Sequence, residues 1–137
     1  MESLVEFETL GERGSVAVAR LVREKSLNSL LLETVDQLYA KISSWLLDDS
    51  VKCIILDSVS PRAFCAGADI VALYRSITGA EKDKLLYADQ FFLSEYQLDY
   101  ALQMKNKPII GWGAGIVMGG GLGLLSGCSH RIGSRST

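Results

Sequence analysis

At 137 residues the chain suits one domain, and its 48% hydrophobic residues suffice for a core. A formal charge of −2, with no basic cluster, excludes a nucleic-acid footprint. Three cysteines at 53, 65 and 128 make an odd count with no framework spacing, so they read as reduced thiols rather than a disulfide scaffold.

Met1-Glu2-Ser3-Leu4 is acidic at once and shows neither a signal peptide nor an Arg-rich transit peptide, so a cytoplasmic protein is expected. Val5–Thr9 and Ser15–Val22 read as strands around the turn Gly11-Glu12-Arg13-Gly14. Asn28 or Ser29 is expected to cap a helix whose apolar face carries Leu31, Val35, Leu38, Ile42, Trp45 and Leu46. Asp48-Asp49-Ser50 ends it, and Val51–Asp57 reads as a strand covered on both faces. A special loop follows, Pro61-Arg62-Ala63-Phe64-Cys65-Ala66-Gly67-Ala68-Asp69-Ile70.

After Asp69 a short helix is expected to carry Ile70, Leu73 and Tyr74. A long helix is expected from Ala80 or Glu81, with Leu85, Phe92, Leu93, Tyr96, Tyr100 and Met104 on its apolar face and Asp89 unexplained among them. Lys107-Pro108 stops that helix. Ile109–Trp112 reads as a strand, Gly121–Ser126 as a helix and Cys128–Ile132 as one more strand. No Asp or Glu follows Asp99, and Ser129–Thr137 reads as the end of a chain cut short.

The second special segment is Gly115-Ile116-Val117-Met118-Gly119-Gly120-Gly121-Leu122-Gly123. The uncharged run from Pro108 to Gly127 allows a transmembrane helix, but eight glycines at about 1 kcal/mol each oppose it. A dinucleotide turn needs an acidic residue about twenty positions on, and none exists. Glycine also permits close backbone approach. A helix starting near Gly120 would aim free amides at an anion. The Ala66-Gly67-Ala68-Asp69 loop would supply a second amide, so that two N–H groups hold one oxyanion.

These two segments, with Lys107-Pro108-Ile109-Ile110 between them, resemble the N-terminal part of the crotonase (enoyl-CoA hydratase/isomerase) superfamily. Phe91-Phe92-Leu93-Ser94-Glu95-Tyr96 together with Met118–Gly123 is similar to the 3-hydroxyisobutyryl-CoA hydrolase branch. The resemblance implies an α/β spiral of ββα units, C-terminally truncated over 1–137, and hydrolysis of a short branched hydroxyacyl-CoA. It implies oxyanion amides at Ala68 and Gly120, flanked by Gly119 and Gly121. Coenzyme A would lie along Lys25, Leu27, Ala66, Gly67, Asp69 and Ile70, and Glu95 would touch the acyl group. Without the resemblance Glu95 reads as a solvated helix carboxylate.

Enoyl-CoA hydratases carry a catalytic glutamate where this chain has Gly123, and the hydrolase branch's own Glu and Asp would lie beyond residue 137. Hydration or isomerisation of an enoyl-CoA, and acyl-CoA binding without catalysis, are the alternatives. Neither a metal nor a separate cofactor is implied, since coenzyme A is part of the substrate. A homo-oligomer without nucleic-acid or membrane partners is expected. Cys65 has no neighbour in sequence that would activate it, and His130 reads as structural.

Overall fold

The computed structural model describes residues 3–79 and 85–137. Strand β1 (Val5–Leu10) pairs antiparallel with β2 (Val16–Leu21). Helix α1 (Leu32–Leu47) then crosses to β3 (Cys53–Ser58), which lies parallel to β2. The short strand β4 (Ala63–Cys65) and helix α2 (Ile70–Thr78) follow. Helix α3 (Leu86–Gln103) leads to β5 (Ile109–Gly113), parallel to β3 with Ile54 opposite Ile109. Then come β6 (Ile116–Val117), α4 (Gly120–Gly127) and β7 (His130–Gly133). The main sheet runs β1-β2-β3-β5-β7, and β4 pairs with β6 in a separate two-stranded sheet.

The apolar alternation sets the layers. In β2, Ala17, Val18, Ala19 and Leu21 are buried, as a strand between two others requires. β1 is an edge strand, and Glu6 and Glu8 on it guard against further pairing. In β3 only Ile54 and Leu56 are fully buried, so one face is covered and the other half-covered, rather than both. Helix α1 buries Val35, Leu38, Ile42 and Trp45 as its period predicts, each adding about 1.5–3 kcal/mol relative to exposure.

The expected cap of α1 fails. Neither Asn28 nor Ser29 caps α1; its N-cap is Leu31, whose amide donates to the Thr34 hydroxyl at 3.4 Å. Asn28 is instead buried at φ +54, donating from Nδ2 to the Ala63 carbonyl at 3.0 Å. Helix α2 carries Ile70, Leu73 and Tyr74 as expected, with Ile70 and Tyr74 exposed.

On α3 the expected apolar face points outward: Leu85, Phe92, Leu93, Tyr96, Tyr100 and Met104 are all exposed. Ala88, Phe91, Glu95, Leu98 and Leu102 form the buried face instead. Their spacing of three and four residues is that of a helix seam. Asp89 among the outward residues is exposed and needs no partner. The expected start of this helix near residues 80–81 lies outside the described residues.

The run from Pro108 to Gly127 is strand, turn, strand and helix. Among the described residues no helix is long and apolar enough to cross a membrane.

Candidate acyl-thioester site

Two strand-to-helix passages meet at the same end of neighbouring parallel strands. One leads from β3 through β4 to α2, the other from β5 through β6 to α4. Pairing of β4 with β6 fastens them: the Ile116 amide donates to the Arg62 carbonyl at 3.0 Å, and the Met118 amide to the Cys65 carbonyl at 3.1 Å. Gly121 packs so closely that any Cβ there would collide with the Cys65 carbonyl. Gly67, at φ +98, occupies a backbone region that L side chains avoid. A Cβ on it would sit 3.0 Å from the Met118 carbonyl oxygen and 3.3 Å from the Gly120 nitrogen. The turns that carry Ala68 and Gly120 are therefore in direct contact.

The Ala68 loop is held from its other side. Leu30 donates its amide to the Gly67 carbonyl at 2.8 Å and accepts the Asp69 amide at 2.8 Å. Such a parallel bridge uses the groups flanking Ala68 and turns its own N–H away from Leu30. Among the described residues neither the Ala68 nor the Gly120 amide donates a hydrogen bond. Gly120 opens α4, so its N–H belongs to the positive helix end. Gly119, at φ +54, forms the N-cap without a side-chain partner.

Of the sequence-predicted cradle, Leu27 and Ala66 are joined by an Ala66 amide to Leu27 carbonyl bond of 3.0 Å. Leu27 itself is left-handed at φ +53. Lys25 is exposed on the adjoining 3-10 turn, and Ile70 is exposed at the start of α2.

The Asp69 side chain is engaged within the protein. It caps α2 through the Ala72 amide at 3.0 Å and receives Arg23 Nη1 at 2.9 Å and the Ser29 hydroxyl at 3.2 Å. Burial alone would raise its proton affinity, but these donors outweigh it and hold the carboxyl below its usual range. Beside it a groove of about 510 Å³ is lined by Arg23, Ser26, Ser29, Asp69, Ile70 and Arg75, among others. Sequence reasoning missed Arg23 and Arg75. The basic side chains were visible, but not that α2 brings Arg75 beside the Arg23 segment.

Glu95 is buried, only 6% exposed, and occupies the space into which a side chain on Gly120 would project. Burial, and then the nearby Asp99, push its carboxyl above the usual range. It is not the solvated helix carboxylate that spacing alone suggested. Cys65 sits beneath the loop, fully buried, and burial pushes its thiol up to about 12, which disfavours the thiolate at neutral pH. The site thus presents two amides without an acceptor among the described residues, a closely placed carboxyl and a groove with Arg23 and Arg75 alongside. Such an arrangement can bind a carbonyl that gains negative charge, next to an anionic carrier.

A family model described as enoyl-CoA hydratase/isomerase matches residues 16–137. The mitochondrial 3-hydroxyisobutyryl-CoA hydrolase of Homo sapiens is 40% identical over 123 residues, covering 90% of this chain and 31% of that protein. Its Danio rerio counterpart is 35% identical over 135 residues, covering 98% and 34%. Among solved structures, an enoyl-CoA hydratase from Rhodobacter sphaeroides superposes with a TM-score of 0.87 at 30% identity, covering 98% of this chain and 38% of that one. A carnitinyl-CoA dehydratase from Mycobacterium thermoresistibile gives 0.88 at 31%, covering 99% and 38%.

The fold is therefore the crotonase-type α/β fold, and the chain spans about a third of these relatives' length. The expected cytoplasmic location does not stand, because the curated hydrolase relatives are mitochondrial. Reduced thiols and an acidic opening report on redox state and local charge, and neither specifies a compartment.

Proposed function

The chain belongs to the enoyl-CoA hydratase/isomerase family, and on that premise we propose that it supplies the acyl-CoA cradle and oxyanion site of a thioester hydrolase. Its substrate is 3-hydroxyisobutyryl-CoA or a similar short branched hydroxyacyl-CoA. The observation that carries this reading is the clasped pair of turns whose Ala68 and Gly120 amides donate to no acceptor among the described residues.

In this reading the thioester oxygen accepts from both amides. Water adds to the carbonyl carbon, negative charge collects on that oxygen, and the C–S bond breaks. The leaving thiolate takes up a proton, giving the free acid and the coenzyme A thiol. Each amide that strengthens its bond as charge develops lowers the barrier, and losing one such donor typically costs about 2.7–4 kcal/mol. The carrier runs past Lys25 and Leu27 and along the backbone of Ala66, Gly67, Asp69 and Ile70, with Gly119 and Gly121 shaping the opposite wall. Glu95 borders the acyl group. Coenzyme A enters as part of the substrate, no separate cofactor is needed, and the working protein is a homo-oligomer.

No residue at position 123 can move a proton, which favours hydrolysis over hydration. The general base of this reading is a Glu or Asp that aligns beyond residue 137. Side-by-side thiol-release assays of this chain and of a full-length relative test the proposal. This chain is expected to bind the hydroxyacyl-CoA but cleave it about 10²–10⁴-fold more slowly, the usual contribution of a general base. Absence of binding would sink the reading, and hydration of an enoyl-CoA without thioester cleavage would put a hydratase in its place.

A further inference from the structure

Glu95 and Asp99 are one helical turn apart on α3 and face Gly120 and Gly123, which are three residues apart on α4. Spacings of four and three keep each pair on one helix face, so the contacts stack as two rungs about 6 Å apart along α3. On the first rung, Glu95 makes no hydrogen bond or ion pair among the described residues, although it is only 6% exposed. On the second, Asp99 Oδ2 lies 2.9 Å from where a Cβ on Gly123 would stand. The other oxygen, Asp99 Oδ1, is buried without a hydrogen-bond partner among the described residues. A larger residue at 123 would displace this carboxyl, so glycine there keeps its place open.

We propose that Asp99, with Glu95, selects acyl chains that carry a hydroxyl, and that Asp99 is the specificity-determining residue of the acyl pocket. This rests on the acyl-thioester reading above. An ionised carboxyl accepts hydrogen bonds and donates none. A buried acceptor with no protein partner is costly until something brings a donor to it. With the thioester oxygen on the Gly120 amide, the acyl chain extends past Glu95, and a hydroxyl along it meets acceptors on both rungs. An alkyl chain brings no donor and leaves Asp99 unsatisfied. An acyl chain ending in a carboxylate meets like charge. Burial raises the proton affinity of both groups, and the charge of Asp99 further opposes ionisation of Glu95.

Calorimetric binding of 3-hydroxyisobutyryl-CoA and isobutyryl-CoA, which differ only in the hydroxyl, tests this on the present chain. The chain is expected to prefer the hydroxylated thioester by about tenfold or more, the equivalent of one hydrogen bond to a charged group. Asp99→Leu is expected to reduce that preference to about threefold or less, mostly by weakening the hydroxylated ligand. Asp99→Ala serves the same purpose should the leucine variant not fold, while Asp99→Asn keeps an acceptor oxygen and retains most of the preference. If the original chain binds neither thioester, the acyl-CoA reading itself fails. If it binds both equally, or its preference survives Asp99→Leu and Asp99→Ala, only the role of Asp99 is overturned.

Discussion

Gly67→Ala perturbs the point where the two turns touch. The backbone there has φ +98, a region that costs an L residue roughly 1–3 kcal/mol. The new methyl would also lie 3.0 Å from the Met118 carbonyl and 3.3 Å from the Gly120 nitrogen, both backbone atoms that cannot swing away. Overpacking of this kind adds about 1 kcal/mol or more. A total near 2–4 kcal/mol lowers the melting temperature by on the order of 10 °C for a chain of this size. Relief comes only by separating the turns, which moves the Ala68 and Gly120 amides apart.

Gly14→Ala is the control. It has φ +68 and a similar 3.2 Å contact, there with the Thr9 hydroxyl, but it lies in the β1–β2 turn. Circular dichroism melts and calorimetric titration with a hydroxyacyl-CoA should show both variants destabilised and only Gly67→Ala weakened in binding, by about tenfold or more. Equal binding losses in the two variants, or full affinity in Gly67→Ala, would refute the argument that this contact sets the site.

Glu95 and Asp99 have carboxyls raised above their ordinary values of 4.5 and 3.8. Their contribution to stability is therefore fully present below those values and is lost as pH rises through the folded-state values. Glu95→Gln should flatten that decline in pH-dependent melts and raise stability at pH 7, and a steeper decline would contradict it. Asp69 runs the other way: held below its usual range, it stabilises above the ordinary value and ceases to as pH falls through the folded one. Asp69→Ala should cost about 1–2 kcal/mol at pH 7 through loss of the cap, with Asp69→Asn costing less because asparagine also caps. Alkylation at pH 8 followed by mass spectrometry should modify Cys53 first, since burial pushes Cys128 up to about 11 and Cys65 to about 12. The exposed apolar residues of α2 and α3 should drive self-association seen by sedimentation, and Tyr96→Glu with Val71→Lys should reduce it.

The parts legible in the sequence were those where one local rule decides. The α1 stripe and the short helix after Asp69 follow from period and side-chain chemistry, and the glycine run announces a close approach. The face of α3 was not legible, because that helix carries two apolar stripes. Phe92, Leu93, Tyr96 and Tyr100 make the stronger pattern, while the stripe that packs inward contains Glu95 and so looks polar. The same override hid Asp99. Its importance comes from Gly123 on another helix, and no spacing within α3 records that. Strands β4 and β6 are three and two residues long, too short for any period to declare itself, yet they bring the two turns together.

Helix α4 carries an unusual concentration of glycine beside these turns. Gly120, Gly121, Gly123 and Gly127 stand within eight residues, a local cost of about 4 kcal/mol relative to alanine. Packing offsets it: Leu124 is fully buried and Leu125 nearly so. A side chain at 121 or 127 would strike the Cys65 backbone or Leu102, which explains glycine at those two positions by close packing alone. At 120 and 123 the obstacle is different, since the space is filled by the carboxyls of Glu95 and Asp99, and Asp99 Oδ1 is buried without a partner among the described residues. Fold stability alone would be better served there by alanine on α4 and apolar residues on α3. Glycine opposite a carboxyl at both rungs, with Asp99 Oδ1 buried and without a partner among the described residues, is the physical reason for proposing ligand recognition, rather than packing, between these helices.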